Sequence, residues 1–166
     1  DSKVKLYLER AENEMLIAKT NLDISLNEEL KSLLKLPKDK TFFNNVISQS
    51  YYAVFYAAKA YLLLKNIETT PPEEHRKTYK EFKKIVEKGE LDKELLEIYE
   101  SETEKAVELL NILFQEKRKR GRFTYNVNAN ANIPYAKESI ENARRFVSII
   151  QSIIEKESLN NNKDEI

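Results

Sequence analysis

A chain of 166 residues with 41% hydrophobic and 34% charged residues can bury the core of one domain, and its two glycines and four prolines are typical of a helical protein. The absence of cysteine excludes disulfides and thiolate zinc sites and predicts a cytoplasmic protein. The 28 basic and 28 acidic residues give zero formal net charge, so attraction to nucleic acid requires a local patch.

No membrane association is expected from the sequence. The longest apolar run, residues 51–58, is far shorter than the roughly 20 residues of a membrane-spanning helix. The first residues also lack the apolar region of a signal peptide.

The first predicted helix covers residues 4–22, where apolar residues recur every three or four positions and charged residues fill the other faces. Residues 27–40 are less regular. We expect them to form a connector with at least one helical turn, which Pro37 ends.

Residues 41–65 predict the central helix, with Asp39 or Thr41 as its N-cap and a length of about 37 Å. Apolar and small residues cover most of its circumference, which is typical of a helix at the centre of a bundle. It also carries aromatic residues, three of which have phenol groups that need partners or water. These residues are Tyr51, Tyr52, Phe55 and Tyr56.

The third predicted helix begins near Pro71, because Thr70-Pro71-Pro72-Glu73 has the pattern of a capping box with proline in the first turn. It ends at Gly89, which is suited to the left-handed C′ position. Its inward-facing residues are Tyr79, Phe82, Ile85 and Val86.

The fourth predicted helix follows Asp92, since Leu91 and Leu96 have the spacing of a hydrophobic staple around an N-cap. It extends to about Lys119, and its cationic last turn suits a helix C-terminus. Its predicted apolar seam consists of Leu96, Tyr99, Thr103, Ala106, Leu110 and Leu113.

Gly121 and the asparagine-rich residues 126–134 predict a long connector before a fifth helix that opens at Pro134. The seam of this helix is Ile140, Ala143, Val147, Ile150 and Ile154. Residues 159–166 predict a polar, disordered tail. The sequence therefore predicts one all-α domain over residues 1–158, an antiparallel up-and-down bundle of about five helices.

Motifs for catalysis are scarce. His75 is the only histidine, which excludes a two-histidine metal site, and a ferritin-like centre needs Glu-x-x-His on two helices. There is no phosphate-binding glycine loop or nucleophile elbow. We therefore expect neither a metal site nor a cofactor, and we interpret most Glu and Lys residues as solvated helix faces.

The segment EKRKRGRFTY, residues 116–125, is the exception, because five cations precede two aromatic residues. Guanidinium groups fit phosphate oxygens, and aromatic rings stack on bases. The alternative is a helix C-terminus that places cations against its dipole, with Phe123 or Tyr125 in the core. The candidate ligand-binding residues are Arg118, Arg120, Arg122 and Tyr125.

Four segments form an ordered pattern across most of residues 4–155. They are SQSYYAVFYAAKAYLLLKNI, EEHRKTYKEF, LLNILFQEKRKRGRFTYNV and YAKESIENARRFVSII. In order and spacing this pattern resembles the HEPN (higher eukaryotes and prokaryotes nucleotide-binding) domain family, and most of all its small stand-alone prokaryotic branch. The resemblance implies a helical bundle. Many HEPN proteins are metal-independent ribonucleases with an Arg, four to six residues, His motif in a homodimer cleft, and many pair with a minimal nucleotidyltransferase as toxin and antitoxin.

In this resemblance Arg120 matches the motif arginine and Tyr125 the tyrosine of the branch, but the histidine is missing. Thr124, Tyr125, Asn126 and Asn128 stand where it should fall, and Thr124 also replaces the usual aspartate of the branch. Cleavage of RNA through its own 2′-hydroxyl requires a group that titrates near neutral pH, and tyrosine, with a pKa near 10, is a poor substitute. The sequence thus favours a ligand-binding or regulatory protein over an enzyme, with Arg120 holding a phosphate.

Three functions stay open. The first is a HEPN-type homodimer that binds a nucleotide, RNA or a partner nucleotidyltransferase through the basic segment, in a regulatory or toxin–antitoxin role. The second is a divergent metal-independent endoribonuclease that uses Arg120, Tyr125 and His75. The third is a non-catalytic helical adaptor, which the aromatic central helix and zero net charge favour.

The position of His75 bears on the second function. In an up-and-down bundle the third helix starts where the fourth ends, so His75 could approach Arg120. The helix lengths oppose this, because Arg120 would overshoot His75 by roughly 15 Å. Otherwise His75 is an exposed first-turn residue. A homodimer is expected because the exposed remainder of the central helix, and parts of the first or fifth helix, need cover.

Overall fold

The protein is all-α over the residues that the computed structural model describes, 2–118 and 132–161, with side chains described except at 110–118 and 161. This confirms the predicted fold class. The six helices are α1 (Ser2–Leu26), α2 (Glu28–Leu33), α3 (Phe43–Leu64), α4 (Glu74–Glu87), α5 (Lys93–Arg118) and α6 (Ile133–Asn161). Within the described ranges, no helix is both long and apolar enough to cross a bilayer.

Helix α3 lies at the centre, as its sequence predicts. It contacts α1, α4, α5 and α6, and 13 of its residues are buried. Small residues such as Ala53, Ala57 and Ala60 are fully buried and let the neighbouring helices approach closely. The only exposed residues on α3 are Asn44, Asn45 and Tyr52, so most of its apolar surface is covered within the chain.

Side-chain hydrogen bonds give the direction of α1 relative to α3. Asn21, near the end of α1, donates its amide to Gln49, near the start of α3, at 2.9 Å. At the other end, the Lys59 ammonium of α3 lies 4.7 Å from the ring centroid of Tyr7 on α1. The two helices are therefore antiparallel.

Helix α6 runs parallel to α3. Asn132, just before α6, bonds to Asn44 at the start of α3 at 3.3 Å, and Lys65, just after α3, pairs with Glu157 at 3.0 Å. Helix α5 is antiparallel to α6, since Lys105 bonds to Ser139 and Glu94 pairs with Arg145. The alternation expected of an up-and-down bundle therefore holds for α1 with α3 and for α5 with α6.

The start of α3 differs from the prediction. The N-cap is Phe42, which makes no side-chain capping bond, so the expectation that Asp39 or Thr41 caps this helix is wrong. The backbone N–H of Phe42 instead donates to the hydroxyl of Ser25 at 2.7 Å. Because Ser25 is a buried residue of α1, a contact distant in sequence satisfies this donor.

The predicted capping box before α4 is also wrong. The helix begins at Glu74 rather than near Pro71, and its N-cap Glu73 has a left-handed conformation (φ 57°) without a capping bond. The preceding segment is held by other bonds. The hydroxyls of Thr69 and Thr78 lie 2.6 Å apart, and the Thr69 carbonyl accepts from Lys59 at 3.1 Å.

The start of α5 confirms its prediction, because an Asp92 carboxylate oxygen accepts from the N–H of Glu94 at 2.8 Å and Leu91 is buried. The predicted seam of α5 is partly wrong. Tyr99 is buried as expected, Leu96, Thr103 and Ala106 are half-buried, and the side chains of Leu110 and Leu113 lie outside those described. Among the described side chains of α5, the other buried ones are Leu95, Ile98 and Glu102, because this face meets both α4 and α6.

The core residues predicted for α4 and α6 are confirmed. Phe82, Ile85 and Val86 are buried and Tyr79 packs against them, and all five seam residues of α6 are buried. Helix α6 opens at Ile133, one residue before Pro134, and continues to Asn161. The first three residues of the predicted tail are therefore helical, and residues 162–166 lie outside the described residues.

Candidate functional site

The basic segment that the sequence singles out lies at the edge of the described chain. Arg118 is the last residue of α5, and its side chain is not among those described. Arg120, Arg122 and Tyr125 lie outside the described residues. The grouping of these side chains into one ligand site therefore stays a prediction.

His75 belongs to a group of aromatic side chains on α3 and α4. Its ring stacks on Phe55, with centroids 4.0 Å apart and planes 14° apart. The Nδ1 atom lies 2.8 Å from the phenol oxygen of Tyr51. His75 is exposed, as a first-turn residue would be, yet one face and one edge of its ring are occupied.

The surroundings of His75 favour its neutral form. Burial lowers the pKa of the imidazole and the Lys59 charge lowers it further, against the opposing effect of Glu74. Burial, with a contribution from Tyr52, raises the pKa of the Tyr51 phenol to about 12, so it keeps its proton. If the phenol donates to Nδ1, the imidazole hydrogen is on Nε2; if Nδ1–H donates to the phenol oxygen, Nε2 is an acceptor.

Lys59 holds the start of α4 in place. Its side chain is only 4% exposed and forms an ion pair with Glu74, and its ammonium group also donates to the Thr69 carbonyl. Burial lowers the pKa of Lys59, but its interactions with the Glu74 carboxylate and the Tyr7 phenol group outweigh this and raise it. Because Glu74 precedes His75, this buried cation also fixes the position of the imidazole.

A row of four rings crosses from α4 over α3 to α1, and we call it the ring surface. It consists of His75, Tyr52, Tyr56 and Tyr7. Successive ring centroids lie 5.8, 6.3 and 6.1 Å apart. The guanidinium of Arg10 lies 5.4 Å from the centroid of Tyr56. The ring surface thus joins aromatic faces to a cation, the combination that binds planar ligands bearing negative charge.

The helix directions separate His75 from the end of α5. His75 contacts Tyr51 and Phe55 in the middle of α3, whereas Leu109 lines a small cavity with Ile47 near the start of α3. The last nine residues of α5, to Arg118, extend a further distance of about 13 Å in this direction. This supports the helix-length argument against a shared site, although Arg120 itself lies outside the described residues.

Sequence reasoning found the aromatic residues of α3 but missed their grouping with His75 and the role of Lys59. The available signals were the spacing of Tyr51, Tyr52, Phe55 and Tyr56 and the single lysine within the apolar run 53–64. Neither signal predicts that His75 packs on these rings, because this contact depends on how α4 packs against α3.

Comparison with protein families gives the class of this all-α domain. A model of the HEPN domain matches residues 27–157, which include helices α2 to α5 and most of α6. The chain therefore belongs to the HEPN domain family. Membership associates it with nucleotide-related, RNA-related or toxin-like functions in general. A comparison with curated proteins found no match.

Proposed function

We propose that the protein binds RNA or a nucleotide as a regulatory HEPN protein, with Arg118, Arg120, Arg122 and Tyr125 as its ligand-binding residues. The observation that carries this proposal is the HEPN match, which spans the basic segment 116–125. Guanidinium groups form paired, charge-assisted hydrogen bonds to phosphate. Since the molecule has no net charge, this local cluster supplies the attraction.

The test is a titration of a fluorescent single-stranded RNA by anisotropy and of ATP by calorimetry. Arg120→Ala is expected to weaken binding about tenfold or more, because it removes a charge-assisted phosphate contact. Tyr125→Phe, which keeps the ring, is expected to have a smaller effect. Arg145→Ala is the matched control, since this arginine is exposed on α6, pairs with Glu94 and does not line the groove described below. Wild-type affinity in the Arg120 and Tyr125 variants would remove the assignment and favour a protein-binding adaptor.

The proposal includes a homodimer and a minimal nucleotidyltransferase partner, in a toxin–antitoxin or regulatory setting. The dimer is supported by a groove of about 420 Å³ between α1 and α6, which are the first and fifth predicted helices. Leu16 in this groove is 66% exposed and the adjacent Ile17 is 46% exposed, so they are apolar area that a second copy can bury. Light scattering at micromolar concentration tests the dimer, and a monomer contradicts it. Co-purification with a nucleotidyltransferase encoded beside it tests the partner.

A second candidate is a divergent metal-independent endoribonuclease, and the neutral, accessible imidazole of His75 favours it. It predicts cleavage of RNA in chelator, with cyclic phosphate ends, that both Arg120→Ala and His75→Ala abolish. The contact with Tyr51 bears on it: Nε2 can accept a proton when Nδ1–H donates to the phenol oxygen, and cannot when the phenol donates to Nδ1. Absence of cleavage by the metal-free dimer would exclude this function.

A further inference from the structure

We infer that the ring surface is a stacking site for an unpaired nucleobase, separate from the basic segment. The ligand chemistry is a planar base that carries a phosphate, as in single-stranded RNA or a free nucleotide. This inference rests on the proposed function, because it supplies that function with a second contact. The residues that carry it are His75, Tyr52, Tyr56 and Arg10.

The imidazole of His75 is the ring on which the base would stack. Phe55, itself 2% exposed, covers one face of the ring at 4.0 Å, and Tyr51 occupies the Nδ1 edge. The exposed surface of His75 therefore lies away from Phe55 and from the Nδ1 edge. A base that stacks on this side extends the existing stack by one ring.

Tyr52 and Tyr56 provide neighbouring aromatic contacts. Tyr52 is 40% exposed, although it lies on the most buried helix of the fold, and its plane is turned 78° from the imidazole. Because the Tyr52 ring is nearly perpendicular to the His75 ring, the two form a corner in which one base can contact both. Because Lys59 and Glu74 fix α3 to α4, this corner is present before a ligand arrives.

Arg10 supplies the positive charge. Its guanidinium lies over Tyr56, and no described carboxylate forms an ion pair with it. The other nearby cations are engaged: Lys59 pairs with Glu74, and Arg76 pairs with Glu73 at 3.1 Å. Arg10 is therefore the cation available to a phosphate attached to a stacked base.

The single histidine gives a direct measurement, because the protein has one imidazole signal in an NMR spectrum. We expect the carbon-bound imidazole protons to shift upfield on titration with short single-stranded RNA or AMP, since a stacked base shields them. Ribose 5-phosphate, which lacks a base, is expected to leave the signal in place. Duplex RNA, whose bases are already stacked, is also expected to leave it in place. A comparison of the titrations with RNA and with AMP shows whether the site prefers a base in single-stranded RNA or a free nucleotide.

Variants test which residues contribute. Tyr52→Ala is expected to weaken RNA binding about tenfold, because loss of one stacking contact has an effect of this size. Tyr52→Phe restores binding, and Tyr52→Leu does not, which separates stacking from apolar contact. Tyr135→Ala is the matched control, since this tyrosine is 54% exposed on α6, away from the ring surface.

The outcomes separate this inference from the proposed function. RNA binding that depends on Arg120, with an unmoved imidazole signal and no response to Tyr52→Ala, overturns the ring surface and leaves the proposed function standing. Binding that depends on Tyr52 and not on Arg120 supports the ring surface and overturns the arginine assignment. An absence of any binding by the wild type overturns both.

Discussion

At the scale of single residues, His75 is the side chain whose charge can change between pH 5 and 7. Its folded-state pKa is lowered, chiefly by burial, so the unfolded chain takes up a proton near pH 6.5 while the folded protein does so only at lower pH. The unfolded state then binds more protons in that window. The contribution of His75 to stability is therefore unchanged above about pH 6.5 and falls as the pH decreases through the folded pKa.

The prediction is that the imidazole signal titrates with a midpoint below 6.5 in NMR. We also expect the free energy of unfolding, measured with urea, to fall less steeply between about pH 6.5 and 5 in His75→Gln than in the wild type. Carboxylates contribute equally to the pH dependence of the unfolding free energy in both proteins, so the difference between the two slopes reports His75. A midpoint at or above 6.5 would contradict this account of the site.

Glu102 gives a second prediction at this scale. Its side chain is fully buried; one carboxylate oxygen accepts from Lys105 and Asn142, both at 3.1 Å, and the other has no partner among the described residues. Lys105 also pairs with Glu138 at 3.2 Å, near the surface. Removal of Lys105 therefore leaves the buried Glu102 carboxylate without a cation, whereas removal of Glu102 leaves Lys105 paired with Glu138.

We expect Lys105→Met to destabilise the protein by about 3 kcal/mol, because it leaves a buried carboxylate with one partner. Glu102→Leu is expected to change stability by less than about 1 kcal/mol, since it removes the unpartnered oxygen and leaves Lys105 paired with Glu138. Urea unfolding of both variants measures the difference. A larger loss in Glu102→Leu than in Lys105→Met would contradict the asymmetry.

At the scale of helices, three elements end in the same way. After α2, α3 and α4 the C′ residues Lys35, Asn66 and Gly89 have left-handed backbones, with φ of 57°, 60° and 82°. In each case the N–H of the next residue bonds back to a carbonyl five positions earlier, the Schellman pattern. The sequence predicted the one at Gly89, because glycine marks this position, and gave no such mark at Lys35.

The shared geometry predicts opposite effects from opposite substitutions. Gly89→Ala is expected to destabilise by about 1 kcal/mol from backbone strain alone, because a Cβ there would meet no atom within 4 Å. Lys35→Gly is expected to stabilise by up to about 1 kcal/mol, because Lys35 is exposed and already left-handed. Thermal unfolding measures both, and a loss of stability in Lys35→Gly would contradict the prediction.

The positions of the helices could be predicted from the sequence better than their starting residues. Apolar periodicity identified α3 and the buried face of α6, because a helix repeats its core positions every three or four residues regardless of its partners. The helix starts failed where the capping partner is distant in sequence, as with Phe42 and Ser25. The contact of His75 with Tyr51 and Phe55 could not be predicted either, because it requires the return of α4 against α3.

At the scale of the whole molecule, the equal numbers of basic and acidic residues make RNA binding a test of local charge. The basic segment has five cations, Lys117, Arg118, Lys119, Arg120 and Arg122. Each phosphate contact on single-stranded RNA contributes about −0.7 to the slope of log affinity against log salt concentration. If all five cations contact phosphates, the slope is therefore about −3.5 for each copy of the chain.

Anisotropy titrations over a range of salt concentrations measure this slope. Arg120→Ala is expected to make it less steep by about 0.7, because one phosphate contact is lost. Tyr52→Ala, which removes a stacking contact and no charge, is expected to lower the affinity at every salt concentration and leave the slope unchanged. Arg145→Ala, which changes an exposed arginine of α6 outside the α1–α6 groove, should change neither quantity. A slope near zero in the wild type would mean that counterion release does not drive binding, and the arginines would then lose their role.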